Sequence, residues 1–495
     1  MTTYAHIVGW GKYIPETVVT NDDLAKLIDT SDEWIRSRTG ISERRFAAKD
    51  ESTASMAIIA AQRALDEARI APSTVDMIIV ATFSPEHLFP STACLVQDAI
   101  GATHAGAFDL SAACAGFVYA LSMGSAVIQA GQAKVVLVIG SETVSRLLDT
   151  HDRTTYPLFG DGAGAVVLQA HDTPGVLATV LGPMAPGRNT SRFRRGSKLP
   201  ASHETVDQHL HAIRMNGREV YRFATRVMSS ATKQACEKAG VALDEVNLLI
   251  PHQANMRIIE SASKNLKIGE EKIFTNLDRY GNTSAASIPI ALCEAIEAGR
   301  VQNKDKLVMV GFGGGLTWGA TVVQWGVPMP YKQRGWWYKG LRWTLYRWAR
   351  VRSTWIRLTR WFENLLPVED KADGYLTPSR EKPKEEKSKD KSSTKAAEKS
   401  ALPEEKPKGK SKLAEKPALP EEKPKKKSAS KVTEKPALPE EKLSEEKSKE
   451  NAPGGSHNGH TVKPISVEIP GDAPPLKPAE FEEKVLEIEK PLNGK

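Results

Sequence analysis

VDMIIVATF, at Val75–Phe83, is an almost unbroken apolar run, and KVVLVIG, at Lys134–Gly140, is a second one. Runs of this kind are typical of strands that are buried on both faces of a sheet. Thr53–Ile70 and Glu219–Ala239 instead carry apolar residues at helical spacing. The alternation of strands with helices predicts an α/β architecture.

Two pairs of segments repeat each other. FGDGAGAVVL (Phe159–Leu168) resembles GFGGGLTWGATVV (Gly311–Val323), since each has an aromatic residue, a glycine cluster and an apolar strand pattern. Val75–Ala81 likewise resembles EVNLLIP (Glu245–Pro251), and each follows an Ala-rich helical pattern. The repeats predict a duplicated unit with halves at 1–170 and 171–327. Chance clustering of glycines is the alternative explanation.

The composition changes near Pro330. The chain of 495 residues has a formal net charge of +8, and much of the excess lies in a Trp-rich segment, 331–366. Residues 367–495 are mostly Lys, Glu, Pro, Ser and Ala, with ALPEEK repeated from Ala401, Ala418 and Ala437. Such a segment cannot bury enough apolar surface to offset its chain entropy, so the sequence predicts a disordered tail.

The cysteines, Cys94, Cys114, Cys236 and Cys293, form neither a CxxC pair nor a zinc-binding pattern. The N-terminal residues lack a secretory pattern, and no apolar run of about 18 residues predicts a membrane-spanning helix. We therefore expect a cytoplasmic protein without structural disulfides or a bound metal.

The segment FDLSAACAGFVYAL (Phe108–Leu121) places Cys114 among small residues at the start of a helical pattern. The free N–H groups and the dipole of a helix start favour a thiolate, and alanine neighbours leave room for an acyl thioester. These features suggest a nucleophile. A small buried core cysteine explains the same segment equally well.

Two further residues lie where a strand pattern gives way to a helix. His252 stands in LLIPHQANMRII, and Asn282 stands in a turn-like Gly-Asn of RYGNTSAASIPIAL. Functional groups gather at the ends of strands in α/β sheets. A structural histidine and a helix-capping or turn asparagine are the alternatives. With Cys114 they make a Cys, His and Asn set that is typical of acyl transfer.

Residues 1–327 resemble β-ketoacyl-acyl-carrier-protein synthase III, a condensing-enzyme family of the thiolase superfamily. The resemblance rests on motifs in matching order and spacing: TSDEWIRSRTGISERR (Thr30–Arg45), FPSTAC (Phe89–Cys94), DLSAACAGF (Asp109–Phe117), FGDGAGA (Phe159–Ala165), PHQANMRI (Pro251–Ile258), YGNTSAASIP (Tyr280–Pro289) and GFGGGLTWGA (Gly311–Ala320). It implies a duplicated αβαβα layered fold. Elongating ketosynthases carry a second histidine where Asn282 stands, so Asn282 favours the CoA-primed branch.

The resemblance also implies a reaction. Cys114 takes an acyl group, acetyl or similar, from acyl-CoA, and malonyl-acyl-carrier protein then loses CO2 and attacks the thioester to give 3-oxoacyl-acyl-carrier protein, which initiates fatty-acid synthesis. His252 and Asn282 stabilise the charge of decarboxylation, while the N–H groups of Cys114 and Gly314 form a second oxyanion hole. A longer starter, a different acceptor and a non-catalytic membrane-tethered scaffold are the alternatives.

Substrate and partner contacts follow from the same motifs. Trp34, Arg38 and Arg153 match residues that hold CoA, and Phe89 matches one that reaches the acyl pocket of a second subunit, which implies a homodimer. The segment that matches the carrier-protein docking site consists of Gln253, Ala254, Asn255, Met256 and Arg257. The reaction calls for no cofactor and no metal.

The segment 331–366 carries one apolar helical stripe, formed by Trp337, Leu341, Leu345, Trp348, Val351, Trp355, Leu358, Phe362 and Leu365. Arginines lie largely off the stripe, as in helices that bind an anionic membrane surface. A helix docked on the catalytic core and a nucleic-acid contact are the alternatives. We favour the membrane, expect no nucleic-acid partner, and predict peripheral attachment to the inner membrane face.

Overall fold

The computed structural model describes residues 3–183, 191–193, 202–326, 344, 346–349 and 351–359. The strands are β1 Tyr4–Tyr13, β2 Thr17–Thr20, β3 Glu43–Phe46, β4 Met77–Ala81, β5 Gly106–Leu110, β6 Val135–Glu142, β7 Gly162–His171, β8 Val176–Pro183, β9 Ser191–Phe193, β10 Ile213–Met215, β11 Leu248–Pro251, β12 Lys306–Gly313 and β13 Thr317–Gln324.

The α-helices are α1 Asn21–Ala25, α2 Asp32–Thr39, α3 Thr53–Ala68, α4 Thr92–Ile100, α5 Gly116–Gln129, α6 His203–Asp207, α7 Gly217–Ala239, α8 Met256–Leu266, α9 Leu277–Tyr280 and α10 Ser287–Glu297. Short 3-10 helices occupy Pro72–Thr74, Ala113–Ala115, Val144–Leu147, Tyr156–Leu158, Leu243–Glu245, Glu270–Lys272 and Ser284–Ala286.

Two main sheets have the same strand arrangement. The first has the order β1-β7-β6-β4-β5, and the second, read from the corresponding edge, has the order β8-β13-β12-β11. In both sheets, taken in these orders, the first and second strand pairs are antiparallel and the third pair is parallel. The fold is therefore duplicated, as the sequence predicted.

The two sequence repeats lie on equivalent strands of these sheets. Val75–Ala81 covers β4 and Glu245–Pro251 covers β11, and each of these strands pairs in parallel with a central strand. The glycine-rich repeats end in β7 and β13, which occupy the same place in their sheets. The halves nevertheless form one compact unit.

The helices form three layers around the two sheets. The α3 helix covers the outer face of the first sheet, and α7 covers the outer face of the second. The α5 and α10 helices contact both sheets and fill the middle layer. The largest hydrophobic cluster is built from this middle layer and the inner sheet faces. The layer order is thus αβαβα.

Small residues allow the outer helix to approach the first sheet closely. A Cβ built on Gly9 of β1 would lie 2.3 Å from the carbonyl oxygen of Ala64, and one on Gly11 would lie 2.5 Å from that of Ala60. The α3 helix begins at Thr53 because the Ser52 side chain accepts a hydrogen bond from the backbone N–H of Ser55. The Ala-rich pattern therefore encodes tight packing as well as helix propensity.

The helical residues 344, 346–349 and 351–359, which we call the Trp-Arg helix, lie within the predicted segment 331–366. Tyr346 joins the hydrophobic cluster between α3 and the first sheet. Among the described helices, none combines the length and hydropathy that a membrane crossing requires. The rest of that segment and the predicted tail, 367–495, lie outside the described residues.

Candidate active site

Cys114 lies in the 3-10 turn Ala113–Ala115, between the end of β5 and the start of α5. Ala113 has a φ of 48°, a left-handed conformation that residues other than glycine rarely adopt. Such conformations concentrate at functional turns. The cysteine is thus placed at a helix start, as the sequence predicted.

The surroundings of Cys114 affect its protonation state. Burial raises the pKa of the Cys114 thiol to about 12, although the Ser284 hydroxyl, which donates to Sγ at 3.3 Å, lowers it in part. Desolvation disfavours a thiolate and therefore works against the effect of the helix start. Burial thus opposes the thiolate-favouring environment expected from the sequence, and the charge state of Cys114 stays a prediction.

Asn282 is fixed by its backbone and by its side-chain oxygen. Its N–H donates to the Leu158 carbonyl at 2.8 Å, and its carbonyl accepts from Gly160 at 3.1 Å. Oδ1 accepts from the backbone N–H of Ser284 at 2.9 Å. Asn282 therefore lies in a short parallel β-bridge to Phe159, and its side chain holds the start of the turn at Ser284. Because Oδ1 is engaged, the amide NH2 group is the part of the side chain left to meet a substrate.

His252 follows β11 directly and is buried. Its backbone N–H donates to the Val310 carbonyl at 2.8 Å, and its ring lies 5.3 Å from that of Phe312. Nδ1 lies 2.6 Å from the hydroxyl of Ser287. Burial lowers the pKa of His252 to about 3. The imidazole is therefore neutral, and a Ser287 hydroxyl that donates to Nδ1 leaves the proton on Nε2, where it can be donated.

One short segment connects all three groups. Within residues 282–287, Asn282 bonds Ser284, Ser284 donates to the sulfur of Cys114, and Ser287 bonds the ring of His252. Ser284 has a φ of 51°. The structure therefore brings the predicted Cys, His and Asn residues to one buried site through two serines that sequence reasoning did not single out.

The glycine-rich end of β12 lies against the cysteine turn. A Cβ built on Gly313 would lie 2.5 Å from the backbone nitrogen of Cys114, so only glycine fits there. The Thr317 hydroxyl donates to the carbonyls of Ala112, at 2.8 Å, and Gly314, at 3.3 Å. These contacts hold the backbone around Gly314 beside the nucleophile, and its predicted oxyanion role stays a prediction.

Glu142 is a buried acid near the cysteine that sequence reasoning missed. Its Oε2 accepts from the Thr82 hydroxyl at 3.0 Å and from the backbone N–H of Ser84 at 3.1 Å. Oε1 has no hydrogen-bond partner among the described residues. Burial raises the pKa of Glu142 to about 7, and its charge contributes to the raised pKa of Cys114. The sequence did contain one signal for this residue, which is a carboxylate placed just after the buried apolar run KVVLVIG.

The predicted CoA residues form a cluster. The guanidinium carbons of Arg38 and Arg153 lie 4.7 and 5.2 Å from the centre of the Trp34 ring. Arg153 is also paired with Asp29. Guanidinium groups stack on indole rings and bind phosphates. The cluster therefore joins a flat stacking surface to two fixed positive charges, although the residues are distant in sequence.

The predicted carrier-protein segment is attached to the CoA helix. Arg257 is exposed and donates to the Ser37 carbonyl at 2.6 Å, and Asn255 donates to the Arg38 carbonyl at 3.0 Å. Ala254 and Met256 are partly buried against the hydrophobic cluster between α7, α8 and the second sheet.

Gln253 is not accessible to a carrier protein, contrary to the expectation from the sequence. It is 1% exposed, and its amide donates to the carbonyls of Pro251 and Phe274 while its oxygen accepts from the N–H of Asn276. A docked protein cannot reach a side chain that is buried and fully bonded. The expected contact of Gln253 with the carrier protein is therefore not supported, and its role is to fix the loop after β11.

Phe89 is 86% exposed, and its neighbour Leu88 is 89% exposed. Large apolar side chains this exposed are unusual in neighbouring positions unless a partner covers them. The structure therefore leaves Phe89 open to a second subunit, and the predicted contact with the partner's acyl pocket stays a prediction.

Asp149, His151 and His209 bring three potential metal ligands within 4.8 Å of one another. The carboxylate of Asp149 is already bonded by Arg214 at 2.8 Å and by the backbone N–H of His151 at 3.0 Å. A cation would have to compete with the guanidinium for this carboxylate. The expectation of no bound metal stays a prediction.

The class follows from these observations. A duplicated, five-layered α/β fold that joins a half-buried cysteine, a neutral histidine and an asparagine is that of a condensing enzyme of the thiolase superfamily. Residues 108–184 match the family profile 3-Oxoacyl-[acyl-carrier-protein (ACP)] synthase III, and residues 236–325 match its C-terminal counterpart.

Known proteins give the particular family. The chain is 49% identical over 323 residues to the Beta-ketoacyl-[acyl-carrier-protein] synthase III of Caldanaerobacter subterraneus, covering 65% of this chain and 98% of that one. The Geobacillus kaustophilus protein of the same name is 50% identical over 325 residues, covering 65% and 99%. The crystal structure of the Aquifex aeolicus enzyme superposes with a TM-score of 0.61 at 48% identity, covering 65% and 100%. The chain belongs to the β-ketoacyl-[acyl-carrier-protein] synthase III family, and it is a condensing acyltransferase that initiates fatty-acid synthesis.

Proposed function

We propose that the chain condenses an acyl-CoA starter, acetyl-CoA or a similar one, with malonyl-acyl-carrier protein, using Cys114 as nucleophile and His252 and Asn282 as hydrogen-bond donors. The observation that carries the assignment is the segment 282–287, which bonds the sulfur of Cys114 through Ser284 and the ring of His252 through Ser287. No resident cofactor or metal takes part.

In the first half-reaction, the sulfur of Cys114 attacks the thioester carbonyl of acyl-CoA. The C–S bond to CoA breaks, and CoA leaves with the proton that the cysteine gives up. The thiol loses this proton only during the reaction, since burial holds its pKa near 12. The N–H groups of Cys114 and Gly314 stabilise the tetrahedral oxyanion.

In the second half-reaction, malonyl-acyl-carrier protein loses CO2, and the electron pair of the broken C–C bond becomes an enolate. His252 and Asn282 donate hydrogen bonds to its thioester oxygen. A neutral imidazole suits this task because it donates without losing its proton to the enolate. The carbanion then attacks the acyl carbon, and the Cys114 thiolate leaves and recovers a proton.

The direct test follows both products. Acetyl-CoA alone should release CoA and add an acetyl group to the protein, whereas CO2 should appear only after malonyl-acyl-carrier protein is added. Branched and longer acyl-CoA starters in the same assay identify the preferred chain. An enzyme that releases CO2 without ever carrying an acyl group would refute the proposed order.

The surface proposed to bind CoA and the surface proposed to bind the carrier protein can be tested separately. Trp34, Arg38 and Arg153 are proposed to bind the nucleotide of CoA, and Arg257 is proposed to bind the acidic carrier protein. Trp34→Ala should raise the KM for acyl-CoA alone, and Arg257→Glu should raise the KM for the carrier protein alone, with added salt imitating the second defect. Equal effects of each variant on both KM values would show that the assignment is wrong.

A homodimer is proposed from the open edge of the first sheet. Among the described residues, β5 pairs with β4 on one side only, and Phe108 on that edge is 39% exposed. The exposed Leu88 and Phe89 shortly precede Thr92 and Ala93, whose backbone N–H groups donate to Asp109 of β5. Edge strands readily pair with a second chain, and a two-fold axis pairs identical edges. Light scattering should give twice the chain mass, and Phe108→Asp should lower it. A monomeric parent protein would contradict this proposal.

We further propose a cytoplasmic protein that attaches peripherally to the anionic inner membrane face through residues 331–366. The four cysteines are free, as a reducing compartment requires. The basic residues and tryptophans of 331–366 supply the charge and the interfacial side chains for such binding. Anionic vesicles should carry the full chain to the top of a density gradient and leave a 1–329 truncation below.

A further inference from the structure

The Trp-Arg helix has an inner face that is bonded to the catalytic core. Tyr346 is 9% exposed, and its hydroxyl donates to Oδ1 of Asp66 in α3 at 3.3 Å. Ala349 lies so close to Gly101 that a Cβ on this glycine would approach the Cβ of Ala349 to 2.9 Å. This face of the helix is therefore docked on the catalytic core, which was one of the alternatives for the segment 331–366.

A second anchor lies one to two turns further along. The hydroxyl of Ser353 donates to Oδ2 of Asp98 at 2.6 Å, and Arg357 donates to the same oxygen at 3.0 Å and to Ser353 at 3.0 Å. Positions 346, 349, 353 and 357 recur at steps of three or four, so they share one side of a helix. The inner face therefore consists of a buried tyrosine, an alanine, a serine and an arginine whose side chain stays largely exposed.

The outer face is apolar and open. Trp348, Val351, Trp355 and Leu358 are 70%, 64%, 67% and 47% exposed. At about 100° per residue these four positions span a stripe of about 80°, centred opposite the inner face. On this helix Tyr346, Ala349 and Ser353 contact the core, whereas two tryptophans face outward, which is unlike an ordinary surface helix. Something apolar must cover this stripe in the functional state.

Positive charge borders the stripe on both sides. At the same angular step, Arg347 lies about 60° from the centre of the stripe in one direction and Arg352 about 80° in the other. Both residues are exposed. Guanidinium groups in this position reach phosphates at the depth where tryptophan rings lie in a bilayer interface. The border therefore matches an anionic lipid surface.

A second copy of the chain is a poorer occupant of the stripe. If two such faces packed together, each would bring Arg347 and Arg352 toward the same arginines of its partner. Like charges brought together at an interface oppose association. An anionic bilayer instead offers negative phosphates to the two arginines and an apolar interior to the stripe between them.

We propose that Trp348, Val351, Trp355 and Leu358 form the lipid-inserting face of a helix whose other face is fixed to the catalytic core through Asp66 and Asp98. The inference rests on the membrane attachment of the proposed function and adds which residues enter the lipid. It also changes the kind of attachment, because a helix bonded to α3 and α4 holds the core at a set orientation against the bilayer.

The test uses the full chain and vesicles of phosphatidylcholine with and without phosphatidylglycerol. Trp348→Ser combined with Trp355→Ser should lower flotation with anionic vesicles at least about tenfold, because two interfacial rings are lost. A matched control, Val206→Ser combined with Tyr221→Ser, removes exposed apolar side chains elsewhere and should float like the parent. Both variants should keep the condensation rate with soluble substrates, which verifies the fold.

The outcomes separate this inference from the membrane proposal itself. If the parent chain does not float with anionic vesicles, the membrane attachment fails. If the parent floats and the double tryptophan variant floats equally well, attachment stands but the stripe is not the lipid face. If the double variant loses dimer mass instead of flotation, a second copy covers the stripe, and the inference is also overturned.

The inner face has its own measurement. Asp98→Ala removes the acceptor shared by Ser353 and Arg357, so amide hydrogen exchange in 351–359 should rise at least about tenfold while flotation stays within about twofold. The control is Asp172→Ala, which removes an acid at an exposed turn. Asp76 would not serve, because its carboxylate accepts from the backbone of β6. Unchanged exchange in Asp98→Ala would show that the helix is not held by this anchor.

Discussion

The two halves of the fold share a turn but place different side chains in it. In the first half, the 3-10 turn Ala113–Ala115 leads into α5, and in the second half the 3-10 turn Ser284–Ala286 leads into α10. The first residue of each turn is left-handed, with φ of 48° at Ala113 and 51° at Ser284. The second residue is Cys114 in one turn and Ala285 in the other. The backbone is therefore duplicated, and the two turns differ in the side chain at the position of the proposed nucleophile.

The corresponding positions of the second half hold different residues. His252 follows β11, whose counterpart in the first half is β4, and the residue after β4 is Thr82, which bonds Glu142. We infer a division of labour in which the first half carries the acyl group and the second half stabilises the charge of decarboxylation. Single substitutions in either half test this division.

The largest effect is expected from Cys114→Ala, which gives the first turn the side chain that the second turn already has. Acyl-enzyme formation should be lost completely, because no other group in the turn can form a thioester. Intact-protein mass spectrometry after incubation with acetyl-CoA measures it. Cys94→Ala, which changes another partly accessible cysteine, should acylate normally. An acyl adduct on the Cys114 variant would end the division of labour proposed here.

Asn282→Asp should lower decarboxylation by about 10²–10³, the usual cost of one oxyanion donor. The aspartate keeps an oxygen for the N–H of Ser284 but removes the amide donor. Acylation of Cys114 should continue, because the acyl oxyanion is held by other groups. CO2 release from malonyl-acyl-carrier protein is the readout. A variant that decarboxylates at the parental rate would remove Asn282 from the donor pair.

Ser287→Ala should have a smaller effect, about tenfold on decarboxylation. Without this hydroxyl at 2.6 Å, Nδ1 of His252 no longer has the partner that keeps the proton on Nε2. Ser287→Thr, which retains the hydroxyl, should restore most of the rate. Failure of threonine to restore a lost rate would indicate a packing defect rather than control of the tautomer.

The smallest effect concerns the acidity of Cys114. Because burial raises its pKa to about 12, alkylation of the resting enzyme by iodoacetamide should still accelerate between pH 8 and pH 10. Ser284→Ala removes a group that lowers this pKa, so alkylation at a given pH should slow by a few-fold. A rate that levels off near pH 7 would show that the resting site holds a thiolate after all.

The sequence predicted the architecture well because strand burial and glycine clusters are local patterns. The repeats at Val75–Ala81 and Glu245–Pro251 lie on equivalent strands, and the Cys, His and Asn residues reach one site. The serines were harder to find. Ser284 and Ser287 matter only through contacts with residues that lie 170 and 35 positions away, and no local pattern encodes such contacts.

Two predictions from the sequence left out the same physical factor, which is burial. Helix position alone suggested a thiolate at Cys114, and motif position alone suggested an accessible Gln253. The depth of each side chain opposes both conclusions, because desolvation disfavours charge and enclosure excludes a partner. For 331–366 the apolar stripe was visible in the sequence, but which face of the helix packs on the core was not.

The division of labour is tested most directly by His252→Ala in a single-turnover experiment that follows both half-reactions. Acetyl transfer to Cys114 should stay within about tenfold of the parent, while CO2 release should fall by about 10²–10³. A variant in which acetyl transfer falls as far as CO2 release, or in which CO2 release is unchanged, would contradict the assignment of decarboxylation to the second half.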